Sequence, residues 1–389
     1  MTRARQPRRI GIFTSGRQDV GYLLPVARAV REHSGLELTV FLSGTHLLEC
    51  YGATGRAFRD AGFACVDVPM IADAATWDGQ IGPGPLAMLS ASLSAALAAH
   101  PVDVMVLLGD RIETLQAAVL AVADRRFVAH IHAGDRAPGE FDDGNRHAIS
   151  KLAHVHFAAT AGAAERLIRM GESPSRIHQV GSPGIDSILA ETLPDEAAAR
   201  CAVGLPGEGA FVVILHHPCG QEEAQERADA EAICQAVADS GLRAICLEPN
   251  SDPHRQIVLG VLRHFSRQLN WPILPNIERR IFLRLMGSAV ALVGNSSAGM
   301  IESAAVGAVV LNVGRRQQGR EHSANVIHVA ADRQVIGRWL IRLEEEPALA
   351  GTYRRAACIY GDGRSSRRIA EVLLAMELSA ARRVKLNEY

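Results

Sequence analysis

The sequence predicts an α/β protein made of two successive doubly wound domains. Three observations lead to this prediction: short apolar runs alternate with amphipathic helical stretches, the alternation restarts halfway along the chain, and polar residues follow the apolar runs. Parallel sheets covered on both faces have such continuous apolar strands, and their ligands bind beyond the carboxyl ends of the strands. At 389 residues the chain is long enough for two domains of about 150 residues each.

The first half of the chain contains five predicted strands. They are runs rich in Val, Ile, Leu and Phe, and they lie at 10–13, 38–41, 104–107, 127–131 and 155–158. Helical stretches separate them, for example at 21–32 and 86–99. Because a glycine-bounded segment at 181–184 is typical of a hinge, we expect the first domain to span 1–184.

The second half repeats the pattern, with strands predicted at 211–215, 243–247, 289–293 and 309–312 and a helix at 221–239. It predicts a second domain at 185–364. A final helical stretch at 366–380 carries Ile369, Val372, Leu373 and Met376 on one face. We expect this C-terminal segment, 365–389, to pack back on the first domain.

Composition excludes several classes of protein. The net charge of −1 gives no general attraction for nucleic acid or for an anionic membrane. No apolar run reaches the roughly 20 residues that span a bilayer. The seven cysteines are scattered, without the spacing of a disulfide framework or a zinc site, so we expect a reduced, cytoplasmic protein.

The most informative segment runs from Gly294 to Glu302, between a predicted strand and a predicted helix. Small residues at such a turn let backbone N–H groups approach a phosphate, and the hydroxyls of Ser296 and Ser297 can add hydrogen bonds. Glu302 lies one helical turn later, where a carboxylate can accept two hydrogen bonds from a ribose diol. The alternative is an ordinary helix capped by serine.

Other polar residues cluster after the predicted strands. Asp110 directly ends an apolar strand, where it is either a partly desolvated reactive carboxylate or a helix cap. His130 and His132 share one strand end and could suggest a metal. Because no third ligand has suitable spacing, we predict no metal site. In the second half, a loop with several guanidinium groups, 314–320, is suited to phosphate oxygens.

These segments resemble the hydrolysing UDP-N-acetylglucosamine 2-epimerase family over nearly the whole chain. Residues 14–21 resemble its T-G-S-R-x-[DE]-x-G turn, and 109–113 its G-D-R-x-E strand end. Residues 130–147 resemble H-I-H-G-G-E followed by D-[DE]-x-x-R-H. Residues 294–302 resemble G-N-S-S-x-G-I-x-E, and 314–320 resemble G-x-R-Q-x-G-R. The motifs occur in the family's order and spacing.

The resemblance implies the two-domain GT-B architecture, with the active site in the cleft between the domains. It implies anti-elimination of UDP to a 2-acetamidoglycal and hydration to N-acetylmannosamine and UDP, without a cofactor. It makes Asp110, Asp135, Asp142 and His217 the catalytic candidates, with Asp143 as a substitute for the acid or base. It assigns UDP or substrate binding to Arg17, Asp19, Asn250, Ser296, Ser297, Gly299, Glu302, Arg316, Gln317 and Arg320, and to Arg146 and His147 beside the acidic set. A UDP-aminosugar substrate and a homodimer through the first domain are also implied.

The chain departs from the family pattern at several positions. Asp135 replaces the usual Glu, one methylene shorter, and Ala133 replaces the first glycine of the pair before it. Val20 stands where an aromatic residue is usual, and Ala308-Val309 stands where a Gly-Val-Pro-like turn is usual. These changes fall mainly near the sugar side, so they leave the identity of the sugar open.

Three alternatives remain at this stage. The first is a related epimerase that acts on another nucleotide aminosugar, such as a UDP-diacetamido-trideoxyhexose or an aminosugar of an antibiotic, or that returns a UDP-sugar without hydrolysis. His132 weighs against the non-hydrolysing outcome, because non-hydrolysing members place Glu at that strand end. The second is a GT-B glycosyltransferase, which needs fewer acidic residues in its first domain. The third is a sugar-nucleotide-binding protein without catalysis.

Overall fold

A computed structural model describes residues 6–388, apart from 76, 78, 79, 137–141, 206 and 251. The chain divides into two compact units: unit 1 comprises Met1–Ser187 and Tyr360–Tyr389, and unit 2 comprises Ile188–Ile359. The sequence placed these boundaries after residues 184 and 364, and the functional roles given to the two domains stay predictions. None of the described helices is both long enough and apolar enough to span a bilayer.

In the described part of unit 1, seven parallel strands form one sheet in the order β3-β2-β1-β4-β5-β6-β7. The strands are β1 Arg8–Thr14, β2 Leu36–Ser43, β3 Cys65–Val68, β4 Val104–Leu108, β5 Phe127–Ile131, β6 Val155–Ala158 and β7 Ile177–Gln179. The α-helices are α1 Arg17–Arg31, α2 Arg56–Asp60, α3 Pro83–Ala99, α4 Ile112–Ala123, α5 Asp142–Leu152 and α6 Ala161–Arg169. A further helix, α7 Pro183–Ala190, begins in unit 1 and contains the boundary after Ser187. Short 3₁₀ helices occur at Gly44–Leu47, Glu49–Tyr51 and Pro174–Arg176.

The strands of unit 1 are apolar along their length because both faces of the sheet are covered. Successive side chains of a strand point to opposite faces. Accordingly, Ile10 and Ile12 of β1 pack in a cluster with helix α1, whereas Phe13 packs in a second cluster with α3 and α4. This arrangement leaves the strand ends as the places where polar residues can gather.

Two C-terminal helices, α15 Ser365–Ala375 and α16 Ala380–Arg383, belong to unit 1. Helix α15 packs on α1 through the buried side chains of Ile369 and Leu373, as expected from its apolar face. The carboxylate of Asp186 accepts hydrogen bonds from the amides of Ser365 (3.0 Å) and Ser366 (2.6 Å) at its N-terminus. The helix ends at Ala375, five residues before the predicted end at 380.

Unit 2 contains a second parallel sheet, whose six described strands have the order β10-β9-β8-β11-β12-β13. They are β8 Phe211–Leu215, β9 Arg243–Leu247, β10 Ile273–Leu274, β11 Leu292–Gly294, β12 Val310–Val313 and β13 Val326–Val329. The helices are α8 Glu196–Ala202, α9 Glu223–Asp239, α10 Arg255–Leu269, α11 Arg279–Ser288, α12 Ser297–Ile301, α13 Arg333–Glu345 and α14 Pro347–Arg354, with a 3₁₀ turn at Ser303–Val306.

The predicted strands are confirmed in both units. Four observed strands were not predicted: β3, β7, β10 and β13. All four are the edge strands of their sheets. The sequence predicted a helix at 298–306; helix α12 is shorter, Ser297–Ile301, and a 3₁₀ turn follows at Ser303–Val306.

The end of the chain is fastened to helix α5 by Lys385. Its ammonium group donates to the carbonyls of Ser150 (2.7 Å), Lys151 (2.9 Å) and Ala153 (2.8 Å), at the C-terminal end of α5. It also lies 2.6 Å from the carboxylate of Glu172, whose side chain is fully buried. A cation at this end of a helix satisfies carbonyls that have no partner within the helix.

Replacing Lys385 with Met should lower the free energy of unfolding by about 1–3 kcal/mol, because buried carbonyls and part of a buried ion cluster lose their donor. Urea denaturation measures this change. Arg367→Met is the matched control: Arg367 is exposed and pairs only with Glu371 among the described residues, so its loss should cost less than about 0.5 kcal/mol. Equal stability of the two variants would contradict the role given to Lys385.

Candidate active site

In unit 1, the turn after β1 is built around the carboxylate of Asp19. Its Oδ2 accepts hydrogen bonds from the Thr14 hydroxyl (3.0 Å) and from the amides of Ser15 (3.1 Å) and Gly16 (3.3 Å). These amides precede helix α1, so Asp19 closes the helix N-terminus from the third helical position. Arg17, the other residue predicted here, is exposed at the first position of α1.

Arg111 connects this turn with the end of β4. Its guanidinium lies 2.5 Å from the carboxylate of Asp19 and 3.2 Å from that of Glu113. The Ser15 hydroxyl donates to Glu113 (2.9 Å) and accepts from Arg111 (3.0 Å). Asp19 and Glu113 are only 7% and 2% exposed, so one cation balances two buried acids. The predicted role of Asp19 in substrate binding stays a prediction.

Arg146 of α5 brings together the ends of β4 and β5. Its guanidinium pairs with the carboxylate of Asp110 and donates to the backbone carbonyl of His132 at 2.9 Å. Arg146 is itself buried. The structure therefore places two sequence-predicted residues, Asp110 and Arg146, in direct contact and holds the His132 backbone beside them.

His132 and Asp135 form an imidazole–carboxylate pair. The Nδ1 of His132 lies 2.6 Å from Asp135 Oδ2, and its Nε2 lies 2.9 Å from the Ser182 hydroxyl. The positive φ of His132, 59°, turns the chain out of β5 at this point. If Nδ1 carries the proton, Asp135 accepts it in a hydrogen bond and Nε2 accepts from Ser182. Such a pair can hold and move a proton at the strand end.

Asp142 and His147 lie on the same helix as Arg146. Asp142 is the exposed first residue of α5, and residues four apart on a helix share a face, so Asp142 and Arg146 face the same side. The Nε2 of His147 lies 3.4 Å from the carboxylate of Asp143, and burial lowers the pKa of His147. The motif residues Gly139, Glu140 and Phe141 lie outside the described residues.

His130 has separate structural partners. Its ring is completely buried, with Nε2 at 2.7 Å from the carbonyl of Gly109 and Nδ1 at 3.1 Å from the Ser150 hydroxyl. Burial lowers its pKa to about 3. Within the described residues, no group of three or more His, Cys, Asp or Glu side chains is placed to hold a metal ion.

In unit 2, the buried side chain of Asn295 joins the ends of β8 and β11. Its Oδ1 accepts from the amide of His217 (2.7 Å), and its Nδ2 donates to the carbonyl of His217 (2.8 Å) and to the sulfur of Cys219 (3.2 Å). Its backbone carbonyl accepts from Gln317 (2.8 Å) and Arg316 (3.3 Å), in the loop after β12. Asn295 therefore holds three strand-end loops together.

The ring of His217 has a fixed protonation pattern. Its Nδ1 accepts a hydrogen bond from the amide of Asn250 at 3.0 Å. Burial, and next the charge of Arg316, lower the pKa of His217 to about 4. At neutral pH the ring is therefore uncharged with its proton on Nε2, which makes Nε2 a hydrogen-bond donor for a ligand.

The Gly294–Glu302 segment forms the predicted strand–turn–helix. Gly294 has a φ of 145°, and a Cβ there would lie 2.0 Å from the carbonyl oxygen of Leu215, so only glycine fits. The Ser296 hydroxyl accepts from the amide of Ala298 at 3.4 Å and caps the short helix α12, which begins at Ser297. Gly299 is buried within that helix. The capping geometry confirms the local structure, and phosphate binding at this turn stays a prediction.

Glu302 lies next to Arg279, a residue that sequence reasoning did not select. The Nη2 of Arg279 is 3.6 Å from the Glu302 carboxylate, too far for a hydrogen bond. Burial raises the pKa of Glu302, and the charge of Arg279 opposes that shift. The carboxylate thus keeps its hydrogen-bonding capacity for a diol while a nearby cation favours its charged form. Arg320, also predicted, ends the turn that begins after β12.

Sequence reasoning also left Arg111, Asn295 and Ser182 unassigned. Arg111 and Asn295 lie inside motifs that the sequence analysis identified, and their position in those motifs could have marked them as site residues. Ser182 and Arg279 come from segments without a polar motif, and only the fold brings them to His132 and Glu302.

Comparisons with known proteins identify relatives along nearly the full length. The sequence profile of the family described as UDP-N-acetylglucosamine 2-epimerase matches residues 28–374. The UDP-N,N'-diacetylbacillosamine 2-epimerase (hydrolyzing) of Legionella pneumophila is 32% identical over 383 residues, which cover 98% of this chain and 100% of that protein. The UDP-N-acetylglucosamine 2-epimerase of Neisseria meningitidis is 30% identical over 325 residues, or 82% of this chain and 83% of that protein.

A solved structure shares the fold. The crystal structure of UDP-GlcNAc 2-epimerase from Neisseria meningitidis, bound to UDP-GlcNAc, matches with a TM-score of 0.74 at 18% sequence identity. The match covers 94% of this chain and 99% of that chain. The predicted two-domain α/β architecture of the GT-B type is confirmed by this likeness and by the two parallel sheets.

The ring signals of His217 should titrate with a midpoint near 4 in an NMR pH titration, with little change between pH 5.5 and 8. Histidines in ordinary exposed surroundings have a titration midpoint of about 6.5 and serve as the internal reference. Because the folded pKa is depressed, the folded state binds fewer protons than the unfolded state, and this residue's contribution to stability falls as the pH drops from about 6.5 towards 4. A His217 midpoint above 6, assigned through the His217→Gln variant, would contradict the neutral Nε2–H form.

Proposed function

The chain belongs to the UDP-N-acetylglucosamine 2-epimerase family, and from that premise we propose that it is a hydrolysing 2-epimerase. Its substrate is a UDP-linked 2-acetamido sugar, and its products are UDP and the C2-inverted free sugar. The observation that carries the proposal is the grouping of Asp110, Arg146, His132 and Asp135 at the ends of β4 and β5. A homodimer and a cytoplasmic location stay predictions.

The reaction needs a base at C2–H, stabilisation of the departing UDP, and an acid for the glycal. Asp110 supplies a carboxylate oriented by Arg146, and the His132–Asp135 pair supplies a second proton-carrying group. Asp142 adds a third carboxylate, on the same face of α5 as Arg146. The group of acids favours proton removal at carbon, which a retaining glycosyltransferase does not require.

We assign the nucleotide to unit 2. The Glu302 carboxylate accepts from the ribose hydroxyls, and the Nε2–H of His217 and the guanidinium of Arg316 face the negatively charged diphosphate. Ser296 and Ser297 add hydroxyl donors. Support comes from the single loop assembly held by Asn295, which gathers His217, Arg316 and the serine turn at one edge of the sheet.

Two sugars are candidates. UDP-N-acetylglucosamine is the substrate named for the meningococcal relative, and UDP-N,N'-diacetylbacillosamine is the one named for the Legionella relative. The match to the Legionella protein spans the full length of that protein, which supports the diacetylated sugar as a candidate beside UDP-N-acetylglucosamine. Asp135, one methylene shorter than the usual Glu, keeps a carboxylate at this position, and it pairs with His132.

Glu302→Ala should weaken UDP binding by about 1–3 kcal/mol, because the ribose hydroxyls lose a charged acceptor. Calorimetry with UDP measures the loss. Glu278→Ala removes an exposed carboxylate that pairs with Arg280 and should leave the affinity unchanged. Equal UDP affinity in wild type and the Glu302 variant would remove Glu302 from the ribose site.

Asp110→Asn and Asp142→Asn preserve side-chain shape but abolish proton transfer, so each should lower kcat by about 100-fold or more. UDP affinity should stay near wild type, since both residues lie in unit 1 and the nucleotide is assigned to unit 2. Steady-state kinetics with calorimetry separates the two effects. A variant that keeps full turnover would show that its residue is neither acid nor base.

Reaction in D₂O tests the proposed function as a whole. With either candidate sugar nucleotide, the free sugar should carry deuterium at C2, and UDP should form in equal amount. A non-hydrolysing epimerase would label C2 and keep UDP attached to most of the product. UDP release without C2 labelling would contradict the epimerase proposal and favour a transferase. NMR of the products distinguishes these outcomes.

A further inference from the structure

Unit 1 contains a cavity of about 290 Å³ at the amino-terminal edge of its sheet. Phe127 and Val155, the first residues of β5 and β6, form part of its wall. His132 and Asp135 follow the opposite end of β5. A five-residue strand at about 3.3 Å per residue puts roughly 15 Å between these two ends. The cavity is therefore distinct from the proposed catalytic residues.

Two guanidinium groups, those of Arg176 and Arg382, line the cavity. Arg176 donates to the carbonyls of His154 (3.3 Å) and Val384 (2.8 Å), and no carboxylate of the described residues lies within ion-pair distance of it. Burial, and next the charge of Arg382, lower the pKa of Arg176. The ion pair described for Arg382 is a long one, 3.7 Å to the exposed Glu377. The wall thus carries two guanidinium groups and one carboxylate, because Glu377 also lines the cavity.

A buried histidine adds a neutral donor. His154, which is 7% exposed and also lines the cavity, accepts a hydrogen bond from the amide of Val128 through Nδ1 at 3.1 Å. Burial lowers its pKa to about 4, so the ring is neutral and its proton is on Nε2. Within the described residues Nε2–H has no hydrogen-bond partner. This donor is therefore available to a ligand that enters the cavity.

The remaining wall is mostly apolar, with Phe127, Val155, Val372, Ala375 and Met376, and it also contains the polar side chains of Ser175, His178 and Glu377. A cavity of this size lies at the small end of ligand sites, which combine apolar walls with a few placed polar groups. We propose that this cavity binds a compact organic anion, whose carboxylate or phosphate meets Arg176, Arg382 and the Nε2–H of His154 and whose apolar body lies against Phe127 and Met376.

Calorimetry on the full-length protein with benzoate, phenyl phosphate and benzamide tests the proposal. Benzoate and benzamide have nearly the same shape and differ in charge, so binding of benzoate with none of benzamide is expected. Comparing phenyl phosphate with benzoate separates the two anionic groups. Saturating UDP should leave the benzoate affinity unchanged, because the cavity lies at the opposite edge of the sheet from the catalytic candidates.

Arg382→Gln and Arg176→Gln should each weaken the binding of the preferred anion by about tenfold, since a charge-assisted hydrogen bond is lost. Arg382 is half-exposed, so its replacement leaves folding intact even if Arg176→Gln does not. Arg367→Gln removes the same charge from the exposed face of α15 and is the matched control. Three results would overturn the proposal: no binding of either anion, equal binding of benzamide, or unchanged affinity in Arg382→Gln.

Discussion

The loops that follow β8, β11 and β12 in unit 2 are held in place by one buried residue, Asn295. Asn295 is completely buried, and its side chain accepts from and donates to the backbone of His217, while its carbonyl holds Gln317 and Arg316. These bonds fix loops from three strands that are parallel and therefore end at the same edge of the sheet. An apolar residue at this position would leave buried backbone groups without partners, so the loops and the side chains they carry are held as a set.

In unit 1, ion pairs hold the strand-end loops in place, as the hydrogen bonds of Asn295 do in unit 2. Arg111 lies between Asp19 and Glu113, and Arg146 lies between Asp110 and the carbonyl of His132. Each guanidinium spans two loops, and its planar fork provides several donors in fixed directions. Arg146 thereby holds Asp110 beside the backbone of His132, and Arg111 separates the like charges of Asp19 and Glu113.

The sequence predicted the central strands of both sheets. Strands such as β4 and β5 are covered on both faces, so their sequences are unbroken apolar runs. It missed all four edge strands, which are short and have only one neighbour. The motif residues were found at the strand ends, as expected from parallel sheets. Arg279 and Ser182 could not be found, because their partners Glu302 and His132 lie 23 and 50 residues away in the chain and only folding brings them together.

A crystal structure of the protein with UDP tests the central claim most directly, namely that the loops held by Asn295 bind the nucleotide. The ribose hydroxyls should lie within hydrogen-bonding distance of the Glu302 carboxylate, with the diphosphate beside His217 Nε2 and Arg316. UDP bound away from these three residues, with Glu302 still next to Arg279 alone, would contradict the account.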